Sequence, residues 1–407
     1  MLAATLDTKA DEIAFARAEL QRLGQRVLVI DCGVLADPPI APDIAAAEVA
    51  RVGGSDLSLL RRQRDRATAI PAMMAGLQAV LADLLRQGAI AAFMGIGGGT
   101  NAALAAAAFR TLPFGMPKLL VSTVACGNTR LFFGIKDVLL FHSVVDVLGL
   151  NEVLRQVLRQ AAAALSGMLA LPRPAQPCER RAPCIAMTTY GATTAAAMHA
   201  LPILQQAGFE VLCFHARGVG GEAMEALVRA GGIHAVLDLT TTEVADEIVG
   251  GVCSAGPDRL TAAGEAGLPQ VILPGALDMV NFGPSATVPE RFHGRNLVSH
   301  TPNATLMRTT PQENVEMADF IARRLNAAKG PVAVVLPLRG FSAYDARGEP
   351  FFDPEADAAF RAALVARLVP GIRVAMPEAH LEERETVETA SALLLGMMAD
   401  AAARRAS

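Results

Sequence analysis

The stretch "LDLTTTEVADEIVGG", residues 237–251, leaves an apolar segment, passes through three threonines and a glutamate, and enters an acidic helical pattern that stops at glycines. With the preceding "HAVLDL" it reads as a buried strand, a polar turn and a helix. The same succession recurs along the chain. In the first half "LAATL", "RVLVID", "AIAAFMG" and "KLLVST" read as strands. They alternate with helical patterns at "KADEIAFARAELQRLG", closed by Gly24, at residues 67–87 and at 100–111. Continuous apolar strands alternating with amphipathic helices predict parallel sheets buried on both faces, a doubly wound, Rossmann-like α/β fold.

Residues 171–183, "LPRPAQPCERRAP", interrupt the rhythm with prolines and charge. The expected organisation is one α/β subdomain over 1–171, a Pro-rich linker over 172–183 and a second subdomain over 184–407. The second half restarts with "CIAMTT", a helix over 192–207, "EVLCFHA", a helix over 221–231 and "HAVLDL". Farther on, Thr310, Pro311 and Glu313 form the signature of a capped helix start, with Gly330 beyond its end. "VAVVLPL", a helix near 354–368, a strand near 372–376 and a terminal helix from about 382 complete the pattern.

Composition narrows the function. A net charge of −4, a pI near 6.0 and scattered basic residues give no footprint for nucleic acid. The opening "MLAATLDTK" has no cationic leader, and no later segment is an uninterrupted apolar run of spanning length. The expectation is a soluble, cytoplasmic protein with no membrane partner. Six cysteines without CxxC or zinc-ligand spacing predict free thiols and no structural zinc.

In a chain that is 52% hydrophobic, polar residues gathered at strand ends carry the functional information. Carboxyl ends of parallel strands, with the helix N-termini that follow, offer backbone N–H groups and partial positive charge to anions. At the first such turn, Gly97, Gly98 and Gly99 would let a phosphate approach the backbone, with Thr100 and Asn101 to cap the helix or bind the ligand. The dinucleotide fingerprint fails there at Thr100, and the chain has no GxxxxGK[ST] loop. A second turn, "HARGVGGEA", satisfies GxGxxA through Gly218, Gly220 and Ala223, with Gly221 beside them and Asp238 twenty residues beyond Gly218. Arg217 supplies a fixed cation, and His215 is the best general acid/base candidate. Thr5, Asp7 and Lys9 in the first half, and Gly191, Thr193 and Thr194 in the second, stand at the opening strand-to-helix turns as capping or ligand groups. Thr240, Thr241 and Thr242 offer hydroxyls to a triphosphate, a ribose or a carboxylate. Glu243 and Asp246 are placed to hold Mg²⁺ through water, and Asp278 and Asn281 of "PGALDMVNFG" fall at the same edge. The simpler reading is that Thr242 caps its helix while Asp246 and Glu247 complement the helix dipole.

Taken together, "LDTKADE", "GIGGGT", "FHARGVGGEAME", "LDLTTTEVADEIVGGVCSAGPDRL", "GALDMVNFG" and "MRTTPQEN" resemble the ATP-binding domain of the tomato tobamovirus-resistance protein family, over about residues 3–380. That family has many bacterial members of unassigned function. The resemblance implies two Rossmann-like subdomains, ATP binding and a homodimer. In the plant protein this portion precedes a barrel domain similar to phosphoenolpyruvate hydrolases, so a separate barrel-domain protein is a candidate partner. Locally the chain has Ile96 and Gly97 where a GGSGGT-like turn is usual, and Cys126, Gly127, Asn128 where SGN is usual.

The expectation is an ATP-binding protein, a nucleotide-dependent enzyme acting on a small carboxylate or phosphorylated metabolite. The alternative is a nucleotide-gated binding protein without catalysis, and an NAD-dependent dehydrogenase is the third reading. Apolar positions Val387, Ala390, Leu394, Met397 and Ala401 on one stripe of the terminal helix predict a homo-oligomer, unless that stripe covers its own sheet.

Overall fold

The computed structural model describes residues 1–127, 129–171 and 182–406. The expected linker falls outside them except for its last two residues, as does Asn128. The chain forms two compact units, Met1–Pro177 and Cys178–Ser407.

The first unit is built on five parallel strands: β1 (Leu2–Ala4), β2 (Val29–Asp31), β3 (Phe93–Ile96), β4 (Lys118–Ser122) and β5 (Leu139–His142), in the order β2-β1-β3-β4-β5. Strands β1 to β4 are buried along their whole length. Helices cover both faces, so no side of these strands meets water, and the sequence there is a continuous apolar run. Met73, Leu77 and Leu81 of the helix Arg66–Arg86 join Phe93, Phe109 and Leu120 in one core, while Ile13, Leu154 and Leu158 pack on the opposite face around Met94 and Val121. By length and composition Arg66–Arg86 could cross a membrane, the one such helix among the described residues. Here its apolar face lies in the core of the unit.

In the second unit β6 (Cys184–Thr189), β7 (Glu210–His215), β8 (Ala235–Thr240) and β9 (Gln270–Gly275) are followed by β10 (Met279–Phe282), β11 (Leu297–Thr301) and β12 (Ala304–Arg308), then β13 (Val332–Val335) and β14 (Arg373–Ala375). The parallel sheet runs β7-β6-β8-β9-β13-β14. Its first five positions repeat the strand order of the first unit. The rhythm that suggested two similar halves therefore has a topological counterpart.

Two features depart from the expected pattern. Strands β10, β12 and β11 make a separate antiparallel sheet, with β11 and β12 joined through Pro302 and Asn303. A two-residue turn between "LVSHT" and "ATLMR" was the available sequence signal. The second departure is the terminal helix Arg384–Ala406, whose Val387, Ala390, Leu394 and Met397 are buried against Leu237, Leu273 and Val335 of the second unit's own sheet. That stripe covers its own fold rather than a second copy. The helix Pro311–Asn326 begins as expected: Glu313 N–H donates to Thr310 Oγ1 at 3.2 Å and Thr310 N–H to Glu313 Oε2 at 2.7 Å.

Candidate functional site

In each sheet the chain order reverses beside the first strand, between β1 and β3 in one unit and between β6 and β8 in the other. Such reversal points open a crevice at the carboxyl ends of the strands. The two crevices differ in what fills them.

In the first unit a cleft of about 210 Å³ lies at that point, and Thr5, Asp7, Lys9, Gly98, Gly99 and Thr100 line it. The helix Gly99–Thr111 begins there with Gly98 at its N-cap and no side chain capping it. A Cβ on Gly98 would come no nearer than 3.8 Å to Thr123 Oγ1, and one on Gly99 would meet nothing within 4 Å. These glycines thus face open space rather than a packed neighbour. Gly97 has another role: at φ +141° it turns the chain where a Cβ would lie 2.6 Å from the Asn101 amide. Asn101 is buried and braces the opposite strand end, its Oδ1 accepting Thr5 N–H at 3.0 Å and its Nδ2 donating to Thr5 Oγ1 at 3.1 Å. It forms part of the floor.

Two cations and two carboxylates share the cleft. Lys9, at a kink in the first helical turn, donates to the Val147 carbonyl. Arg66 adds a second positive charge, and Asp146 lines the cleft near Asp7 and Lys9. Asp7 Oδ2 accepts Leu35 N–H at 2.7 Å, whereas its buried Oδ1 has no hydrogen-bond partner. Asp31, not among the expected site residues, holds the first helix in place by accepting Leu6 N–H at 3.0 Å and Gly33 N–H at 2.8 Å. Its position at the end of "RVLVID" was the signal for a cap.

In the second unit the corresponding crevice is filled by the protein itself. Thr240, Thr241, Thr242 and Glu243 are fully buried. Thr193 Oγ1 and Thr240 Oγ1 lie 2.7 Å apart, and Thr188 Oγ1 donates to Asp238 Oδ1 at 2.6 Å. Thr241 Oγ1 donates to the Leu273 carbonyl at 3.0 Å. Thr242 Oγ1 bonds the Met279 carbonyl at 3.4 Å. The three threonines of the opening stretch are internal struts.

Glu243 departs most from expectation. Its Oε1 accepts N–H from Gly218 at 2.6 Å and from Gly221 at 3.0 Å, the amides that a GxGxxA turn would present to a phosphate. Its Oε2 accepts Arg259 Nε at 2.7 Å. A Cβ on Gly221 would sit 2.1 Å from Glu243 Oε2, and one on Gly220 1.9 Å from the His215 carbonyl. The glycines admit an internal carboxylate and their own strand end. Arg259 is fully buried and also grips Asp238 through contacts of 2.6 and 2.8 Å. Burial opposes its charge, but Asp238 and then Glu243 outweigh that and hold it fully protonated. Burial pushes the Glu243 carboxyl upward even against Arg259 and the Gly221 amide. Arg259 was not singled out in the sequence, because nothing in "GPDRL" marks an arginine that will be buried.

The remaining acid candidates are internal as well. Asp246 Oδ1 accepts Cys253 N–H at 2.9 Å, and its Oδ2 accepts Asn281 Nδ2 at 2.7 Å. Asp278 Oδ2 accepts Ser342 Oγ at 2.7 Å, and burial raises its pKa to about 6. Glu243, Asp246 and Asp278 therefore do not form an open metal-binding edge: each is buried and bonded within the fold. Among the described residues no three His, Cys, Asp or Glu side chains gather as a metal site.

Arg217, the expected fixed cation of the glycine turn, is exposed and faces a separate cleft from the threonine edge, one that also takes in Gly191, His215 and Asn281. Burial, and then Arg217, depress the pKa of His215. Thr194 stays at the surface, its hydroxyl donating to the Tyr190 and Gly191 carbonyls.

Comparison with known proteins follows this division. Residues 1–174 match the "Uncharacterised protein family (UPF0261) N-terminal domain" and residues 182–398 the corresponding C-terminal domain. A UPF0261 protein of Clostridium tetani is 46% identical over 355 residues, 87% of each chain. One from Rhizobium meliloti is 41% identical over 360 residues, 88% of each. The ToMV resistance protein Tm-1(GCR237) of Solanum lycopersicum is 40% identical over 373 residues, which are 86% of this chain and 49% of the tomato protein. With each unit matched by one of the family's two domains, in chain order, the chain belongs to the UPF0261 family.

Proposed function

We propose that the chain binds ATP with Mg²⁺ in the first-unit cleft. The observation that carries this reading is the uncapped N-terminus of the helix Gly99–Thr111 at the β1/β3 reversal, with Gly98 and Gly99 open to the cleft. Backbone N–H groups and the helix dipole there suit a phosphate. Lys9 and Arg66 add charge for a polyphosphate, and Thr5 and Thr100 add hydroxyls. Asp7, with an unpartnered oxygen, and Asp146 fit a Mg²⁺ ion, which takes one or two carboxylates together with phosphate oxygens and water. Val34, Leu35 and Ile70 give the cleft an apolar side for the nucleoside.

Within this reading the protein is a nucleotide-dependent enzyme, with Asp7 and Asp146 the carboxylates that line the nucleotide cleft. The burial of Glu243, Asp246 and Asp278 favours a second reading, a nucleotide-gated binding protein in which ATP alters a partner surface. A homodimer belongs to either, and the exposed Val144, Leu148 and Val153 near edge strand β5 offer apolar surface for a second copy. Thermal unfolding with added nucleotides tests the proposal, since a ligand that binds only the native state raises the melting temperature by mass action. ATP with Mg²⁺ raises it more than NAD or NADP does. Stabilisation by NAD with no effect of ATP would restore the dehydrogenase reading. Release of phosphate from ATP separates enzyme from binding protein.

A further inference from the structure

The second unit contains a cleft of about 430 Å³ where the ends of β6 and β7 meet the β11–β12 hairpin. We propose that it binds a small planar carboxylate, with Arg217 holding the carboxylate and the aromatic side chains packing on the planar group. This site is independent of the nucleotide cleft in the first unit.

Arg217 and two histidines line the cleft, and no aspartate or glutamate does. Arg217 is exposed and forms no ion pair among the described residues, although it lies in hydrogen-bond contact with the Cys253 thiol. By contrast Arg259 has Asp238 and Glu243, Arg308 has Asp345 and Asp357, and Arg295 has Glu313. A guanidinium left open over a concave surface suits a bidentate oxyanion.

The cleft also has a built aromatic frame. The Tyr190 ring stacks on His215 with centroids 5.5 Å apart and planes 25° apart. Its hydroxyl donates to Asn281 Oδ1 at 2.8 Å, and the Asn281 amide is anchored in turn on Asp246. That chain of bonds runs from the buried threonine region to the cleft wall and fixes the ring. On the other side the Tyr344 hydroxyl lies 2.7 Å from His300 Nδ1. The tyrosine hydroxyls are thereby occupied, and both half-buried rings line the cleft where a planar group would pack. Offset stacking stabilises aromatic pairs beyond the area they bury.

The test is a ligand-observed NMR titration of the full chain with three probes: benzoate, cyclohexanecarboxylate, which keeps the charge but lacks the π face, and benzamide, which keeps the ring but lacks the charge. Benzoate binds saturably, and each of the others binds at least several-fold more weakly. Arg217→Ala weakens benzoate about ten- to a hundredfold, the usual loss for a charge-assisted contact, while its melting temperature and its stabilisation by ATP with Mg²⁺ stay as in the parent. Equal affinity for benzoate and cyclohexanecarboxylate would overturn the planar part of the proposal. Unchanged benzoate binding in Arg217→Ala, or no saturable binding in the parent, would overturn the site. Because ATP is followed separately on the same variant, failure here leaves the nucleotide reading standing or falling by its own measurement.

Discussion

The crevice at the ends of β1 and β3 and the crevice at the ends of β6 and β8 occupy one position in two sheets of the same strand order. In the first, Gly98 and Gly99 after β3 face space; in the second, Glu243 after β8 reaches past β6 and packs its carboxylate on the glycine turn after β7. A glycine-rich strand-to-helix turn is therefore not by itself a phosphate site: the donors of the turn after β3 stay open, whereas those of the turn after β7 serve an internal anion. What decides is whether a carboxylate reaches them from another strand end. Glu243, after β8, reaches Gly218 and Gly221 after β7, whereas Asn101, in the helix that Gly98 caps, bonds Thr5 and leaves its own turn open.

The largest expected effect comes from breaking the filled crevice. Arg259→Ala leaves Asp238 and Glu243 buried without their cation. Removing one partner of a buried ion pair costs about 3–5 kcal/mol, so calorimetry should show the second unit melting far below its normal temperature. A melting temperature within a degree or two of the parent would mean that the cluster does not hold this crevice together.

Acid-base behaviour sharpens the contrast next. Asp345 and Asp357 share Arg308 in the second unit, with Asp278 close by, and burial, followed by Asp278 and Asp357, pushes the pKa of Asp345 up to about 10. A folded-state value above the unfolded one stabilises fully below the unfolded pKa, and the benefit is lost as pH rises toward the folded value. Asp278, raised to about 6, acts in the same direction over a lower range. Unfolding followed from pH 5 to pH 9 should show the second unit losing stability, by at most about 1.4 kcal/mol per pH unit for each such group. Asp345→Asn, which mimics the protonated acid, should flatten that slope. A slope identical in the variant would remove Asp345 from the account.

The open crevice is tested by filling it. At Gly98 the backbone is extended, with φ −80° and ψ −157°, and a Cβ has room, so Gly98→Val should fold while obstructing the approach to the helix N-terminus. Its affinity for ATP, read by titration calorimetry, should fall about ten- to a hundredfold. The smallest effect is local: Thr310→Ala removes an N-cap and should cost about 1 kcal/mol of stability, leaving nucleotide affinity unchanged.

Much of the fold was legible because its strongest signals are short-range. Apolar runs at "AFMGI" and "HAVLDLT" had to be strands buried on both faces, and Thr310, Pro311 and Glu313 had to start a helix. The first cleft was legible for the same reason, since Thr5, Asp7, Lys9 and Gly98 to Thr100 lie at ends of adjacent strands. The second crevice was misread because sequence places Glu243 at a strand end without saying whether its carboxylate faces water. That outcome depended on Arg259, sixteen residues on, turning inward. His300 and Tyr344 come from a hairpin and a loop distant in the chain, and no local pattern joins them to Arg217.

Hydrogen exchange with and without ATP and Mg²⁺ tests the central claim most directly, because it reads the backbone amides that the two crevices use differently. Added nucleotide is expected to protect the amides of Gly98 to Asn101 and the first turn after Thr5, and to leave Gly218 to Gly221 unchanged. Protection that appears at Gly218 to Gly221 and at Thr240 to Glu243, with none at Gly98 to Asn101, would contradict the account and return the nucleotide to the second unit.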